Sequence, residues 1–374
     1  MKKLRSSNIE LLRVLAMFMI VMYHITCHCV TVQFTDPGSM GRGAVDFFNH
    51  PVFYPRLLII DCLMTFGIVG NAIFILISGY FMANRGGTQG IKIGEVSKKL
   101  LLQVGFAAIL LVCIPPIIHH LKPNIFITLQ SITIFNGMSW FVGYYFVVVL
   151  CGALFLNKFL INLDYKKYLT FLLGLFAFIS LSYSGGLADS LIGGLRTVLT
   201  GIFLYSLGGF IKEFDPFKKI RSYIFFLIIG LVYALVCLSG YNVTTQSIET
   251  YNRNGSTDPF IQSFPGFDNF SIVIIVIAVC MFEIFRRIHL PSSKAITFLG
   301  RSTFMVYLIH DNGLFYEIWN LRDWVTTMSE SPIKFVLNVL KWASYTFLIG
   351  VFAYTLYILV MDLLKRGRWL AVKK

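Results

Sequence analysis

Two ionisable residues share one apolar segment near the start of the chain: Arg13 and His24, in RVLAMFMIVMYHI. An α-helix turns about 100° per residue, so eleven residues come within roughly 20° of three whole turns. The two side chains therefore fall on one stripe, about 16 Å apart along the axis. Glu10 precedes Arg13 by three residues, close enough to pair with it. An imidazole titrates near physiological pH, which suits His24 to general-base chemistry. A guanidinium presents a planar fork of donors, which suits Arg13 to hold an anion such as a phosphate. The plainer reading is a snorkelling arginine and a histidine satisfied by a neighbouring helix. The shared stripe and the Glu10 partner weigh towards function, because ionisable groups at membrane depth are costly and usually face the bundle interior.

Such a stripe needs a helix bundle around it, and the composition supplies one. Of 374 residues, 56% are hydrophobic and only 13% are charged. A soluble domain carries about a quarter charged residues. We therefore expect an all-α integral membrane protein with a single polytopic domain over 1–374. The net charge of +14 fits basic cytoplasmic loops. No basic patch is interleaved with exposed aromatics, so nucleic acid is not an expected partner. MKKLRSS imitates a secretory leader, but Glu10 and Arg13 interrupt the apolar run and no small-x-small cleavage site follows. The expectation is a retained first helix.

Ten segments are long and apolar enough to be candidate spans: 9–30, 58–82, 98–118, 139–157, 167–183, 191–211, 222–240, 269–287, 298–318 and 334–361. With the N-terminus inside, the segments 1–8, 83–97, 158–166, 212–221, 288–297 and 362–374, with their helix ends, hold 22 of the 32 Lys and Arg. That asymmetry predicts a bundle of about ten helices with both termini cytoplasmic. The longest outside loops would be 31–57, 241–268 and 319–333, the second a solvated stretch rich in Asn, Ser, Thr and Gly.

The seven cysteines fall mostly in apolar runs without a CxxC pair and read as small hydrophobes. His24, Cys27, His28 and Cys29 have ligand types at helical spacing. Nothing elsewhere in the sequence supplies an obvious second half, so no metal is expected.

Four stretches, in order, resemble the membrane acyltransferase-3 family. They are the Arg-x10-His spacing in NIELLRVLAMFMIVMYH, then FILISGYF (Phe74 to Phe81), WFVGYYFVVVL (Trp140 to Leu150) and LGRSTFMVYLIH (Leu299 to His310). The resemblance covers nearly the whole chain. It implies a ten-span core that moves acyl groups, often acetyl, from cytoplasmic acyl-CoA to hydroxyls of cell-envelope carbohydrates. His24 would be the catalytic base and Arg13 the CoA-side arginine. Where many members carry Arg-x-x-Arg at the start of the third helix, this chain reads SKKLLLQ. Lys98 and Lys99 keep the charge but lose the bidentate fork.

The resemblance further implies acetyl-CoA or another acyl-CoA as donor substrate, a carbohydrate acceptor, and a multi-pass location in a bacterial plasma membrane. It leaves monomer and oligomer both open. Beside Arg13 and Glu10, the donor side would draw on Lys98, Lys99, Ser78, Trp140 and Arg301; the acceptor side would draw on His310 and Asp311. Plainer roles stand beside these. Ser78–Gly79 allows close helix packing, Trp140 fits an interfacial anchor, Arg301 fits a topology charge, and His310 fits a wet helix end. Gly193–Gly194 and Gly208–Gly209 read as packing positions and not as a phosphate loop. The competing function is a transporter or flippase for a lipid-linked or anionic solute, since buried His and Arg also serve proton relays. No internal repeat supports it.

Overall fold

In a bilayer every backbone N–H and C=O must be satisfied within its own segment, so apolar runs of this length become helices. The computed structural model describes residues 6–35, 54–84, 91–121, 140–181, 195–255 and 271–372, and these contain helices and no strand. In chain order the long helices are α1 (Ser7–Ile25), α2 (Tyr54–Met82), α3 (Ile93–Leu121), α4 (Trp140–Cys151), α5 (Tyr165–Leu181), α6 (Arg196–Phe214), α7 (Ser222–Asn254), α8 (Ile272–Arg287) and α9 (Lys294–His310). Two short helices follow, α10 (Gly313–Asn320) and α11 (Trp324–Glu330), and then α12 (Pro332–Val372). A helix of the described residues falls in each of the ten expected segments. Six of them, Ser7–Gln33, Leu58–Met82, Ile93–Ile114, Trp140–Ile161, Ser222–Val243 and Pro332–Arg366, are long and apolar enough to cross a membrane.

Helix α1 lies at the centre and packs against α2, α8, α9 and α12. It is buried nearly all round, with Leu12, Ala16 and Val21 fully inaccessible. It runs on through a π-helical turn (Thr26–Val30) into a short helix (Thr31–Thr35). Helices α2 and α6 meet backbone to backbone, since a Cβ on Gly79 would overlap the carbonyl of Tyr205. Gly79 therefore allows the close approach that small residues permit between membrane helices. Gly208 packs at the same seam, whereas Gly193–Gly194 lies outside the described residues.

Contacts sort the loops into two ends. At one end Asn8 Nδ2 donates to the Phe285 carbonyl at 2.8 Å, and Ser293 N donates to Ser7 Oγ at 2.8 Å. There the fully buried Glu283 holds Arg286 and Arg287 at 2.8 and 3.1 Å, and Arg286 also reaches Asp215 at 2.5 Å. A buried carboxylate paired this way ties α8 to the α6–α7 link. At the opposite end Gln33 Nε2 donates to the Arg322 carbonyl at 2.8 Å, and Arg56 donates to the Ser329 carbonyl at 2.6 Å.

Two expectations change. The ninth segment is not one helix to 318: it breaks after His310, and 313–330 forms the helices α10 and α11 in place of an open loop. Their side chains Trp319 and Trp324 are fully buried, with Trp324 Nε1 donating to the Trp319 carbonyl at 3.1 Å. The stretch 241–254 is helical too, as the end of α7. It contains no Gly or Pro to stop the helix, and the end comes at Gly255, whose φ of +72° lies in the left-handed region that glycine adopts most readily.

Candidate functional site

The segment Asp311–Asn312–Gly313 explains where the site forms. Asp311 leaves the helical region at φ −85°, ψ 68°, and Asn312 caps the next helix by accepting from Phe315 N at 3.3 Å. The break places His310 and Asp311 beside the last turn of α1, which carries His24. All three are buried, His310 to 0% and Asp311 to 2% exposure, so His310 is no wet helix end.

The hydrogen bonds assign the tautomers. His310 Nδ1 lies 2.7 Å from the Val306 carbonyl, and a carbonyl only accepts, so this nitrogen carries the proton. The neutral ring then has its lone pair on Nε2, which lies 2.9 Å from His24 Nδ1. His24 Nδ1 is therefore the donor, and the remaining lone pair of His24 sits on Nε2. Asp311 Oδ1 stands 3.5 Å from His24 Nδ1 and accepts from the Tyr316 hydroxyl at 2.7 Å. Tyr316 in turn stacks on His28, with ring centroids 4.1 Å apart. The chain Val306–His310–His24, flanked by Asp311, thus presents one basic nitrogen held in orientation from behind, as a proton-transfer site requires.

The second pairing expected on α1 is also present. Arg13 donates to Glu10 at 2.9 Å and lies over the Phe81 ring at 5.9 Å. Glu10 is buried against Gly300, where a side chain would overlap its carboxylate. The remaining donor-side candidates are dispersed. Lys98, Lys99 and Arg301 are exposed on their helices. Ser78 Oγ donates to its own helix at the Phe74 carbonyl, 2.8 Å, and lies 3.3 Å from the Tyr145 hydroxyl. Trp140 is 40% exposed. Its neighbour Phe141 packs on Tyr307, which packs on His310, at 5.7 Å in both pairs.

Two residues that flank the site, His28 and Tyr316, carry no catalytic role in the sequence reading, where His28 stands only among the ligand types at helical spacing. His28 lies four residues after His24, so helical spacing alone puts both on one face. Tyr316 had no such signal, because it reaches Asp311 only across the break between α9 and α10. Among the described residues, His24, His28 and Asp311 bring three ligand atoms within 4.8 Å of one another. Cys29 instead points its thiol at the Tyr316 carbonyl, 3.5 Å away.

A family model described as an acyltransferase domain matches residues 6–362. Neither a curated protein nor a solved structure matches the chain.

Proposed function

Because this chain belongs to the acyltransferase-3 family of membrane acyltransferases, we propose that it transfers an acyl group, acetyl first, from acyl-CoA to a hydroxyl of a cell-envelope carbohydrate. His24 is the general base. The observation that carries this reading is the 2.9 Å bond from His24 Nδ1 to His310 Nε2, which leaves Nε2 of His24 as the proton acceptor.

The steps follow from that nitrogen. Nε2 takes the proton of the acceptor hydroxyl as its oxygen attacks the thioester carbonyl. The imidazolium that forms is stabilised by the Asp311 carboxylate, 3.5 Å from Nδ1. Collapse of the tetrahedral intermediate breaks the C–S bond, and the departing CoA thiolate recovers the proton from Nε2.

Donor and acceptor enter from opposite ends of α1. We place the Arg13 end in the cytoplasm, with both termini, because Lys212, Arg286, Arg287 and Lys294 gather there with Ser7 and Asn8. Ten helices then span the plasma membrane of a bacterium. Arg13, oriented by Glu10, meets the CoA phosphates as a preorganised fork. Lys98, Lys99 and Arg301 add exposed positive charge. The arrangement answers a delivery problem, since acyl-CoA is inside and the glycan outside.

The test is transfer or hydrolysis of labelled acetyl-CoA by the purified protein in lipid nanodiscs. A transporter would do neither, and loss of label from CoA together with gain by an oligosaccharide acceptor supports the proposal.

A further inference from the structure

We propose that His24, His28 and Asp311 form a site for a divalent transition-metal ion of the zinc class, and that the bound ion switches off the base. The switch rests on the role given to His24 above; the site does not.

Three observations carry it. The ligand atoms of the three side chains lie within 4.8 Å of one another, and Asp311 Oδ1 stands 3.5 Å from Nδ1 of His24. Nitrogen and oxygen ligands of a tetrahedral zinc stand about 3.4 Å apart. Side-chain adjustments of about an ångström close the set. Two imidazoles and one carboxylate are also a ligand combination such metals accept.

The second observation is the state of Asp311. Its Oδ1 is hydrogen-bonded by Tyr316, whereas its buried Oδ2 makes no well-formed hydrogen bond and has the equally unpartnered Tyr307 hydroxyl as its neighbouring donor. Burying an unpaired carboxylate oxygen costs free energy, and a cation offsets that cost directly.

The third is the support behind the ligands. Tyr316 bonds Asp311 through its hydroxyl and carries His28 on its ring face, so one residue holds two of the three ligands. Outer partners of this kind orient metal ligands.

Coordination at His24 Nδ1 has a chemical consequence. The neutral ring carries a single proton, which must then sit on Nε2. That nitrogen loses its lone pair and can no longer take a proton from a hydroxyl. The metal and the His310 hydrogen bond thus compete for the same nitrogen of His24, and only the hydrogen-bonded state is active.

The experiment titrates zinc into the full-length protein in nanodiscs, reading bound zinc by elemental analysis and turnover with acetyl-CoA. The expected result is one zinc per chain and inhibition that a chelator reverses. His28→Phe keeps the stack on Tyr316 but has no ligand nitrogen; it should lose both the zinc and the inhibition while zinc-free turnover persists. Tyr316→Phe should bind zinc about tenfold more weakly. If His28→Phe does not insert, Asp311→Asn reads the same loss of zinc. Absence of zinc from the wild-type protein, or unchanged zinc in His28→Phe, overturns the site. Zinc bound through His28 with unchanged turnover overturns the switch. Zinc bound through His28 by a protein without acyl transfer overturns the function proposed above and leaves the site standing.

Discussion

Nδ1 of His24 lies 2.9 Å from Nε2 of His310, a residue 286 positions further along the chain. The bond exists because α9 ends at His310 beside the last turn of α1, and it orients the imidazole whose other nitrogen we assign as the base.

Replacing that base should remove the chemistry and keep the protein. His24→Ala should insert and bind acyl-CoA but transfer about 10² to 10⁴ more slowly. His24→Gln should be as inactive, since an amide hydrogen-bonds but takes no proton at neutral pH. Near-normal transfer by His24→Gln, with insertion and CoA binding verified, would return this histidine to a packing role.

His310 acts through His24 and should show a graded response. His310→Leu leaves the Nδ1 proton of His24 without its acceptor, at a cost of about 1–3 kcal/mol. Expressed wholly in kcat, that is about 5- to 150-fold. His310→Gln supplies a carbonyl oxygen and should recover part of the rate. The pH–rate profile separates this from simple loss of packing: in His310→Leu the midpoint set by His24 should move, while KM for acyl-CoA stays put. Equal kcat and an equal midpoint in the two variants would remove His310 from the relay.

The cations near the other end of α1 should act on the donor. Arg13→Ala should raise KM for acyl-CoA more than it lowers kcat, with Arg13→Lys a partial rescue because an ammonium lacks the fork. Lys98→Ala with Lys99→Ala should weaken acyl-CoA binding by about 1 kcal/mol or less per lysine, the worth of a solvated ion pair. Unchanged apparent affinity in the double variant would leave these lysines as topology signals only.

Reporter fusions test the orientation. Fusions after residues 90 and 215 should report cytoplasm, and fusions after 45 and 255 should report the outside. A cytoplasmic signal at 255 contradicts the ten-span arrangement.

Much of this was legible one helix at a time. Apolar length and loop charge locate the ten segments, because a bilayer forces each run to satisfy its own backbone. The Glu10–Arg13 pair and the stripe to His24 follow from helical periodicity alone, and the family follows from four short motifs in order. Helix ends were less legible. Polar content at 241–254 suggested a loop, yet without Gly or Pro the helix runs to Gly255.

The approach of His310 and Asp311 to His24 was decided by tertiary structure. The sequence names these residues and carries the Asp-Asn-Gly signal that ends α9, but it does not say which helices pack together. Burial of His310 and Asp311, the tautomer of His24, and the bridge from Asp311 through Tyr316 to His28 all depend on α1 sitting between α2, α8, α9 and α12. Periodicity acts within one helix and fixes which residues share a face. The partner that face meets is chosen by packing between helices distant in sequence, and here that choice builds the site.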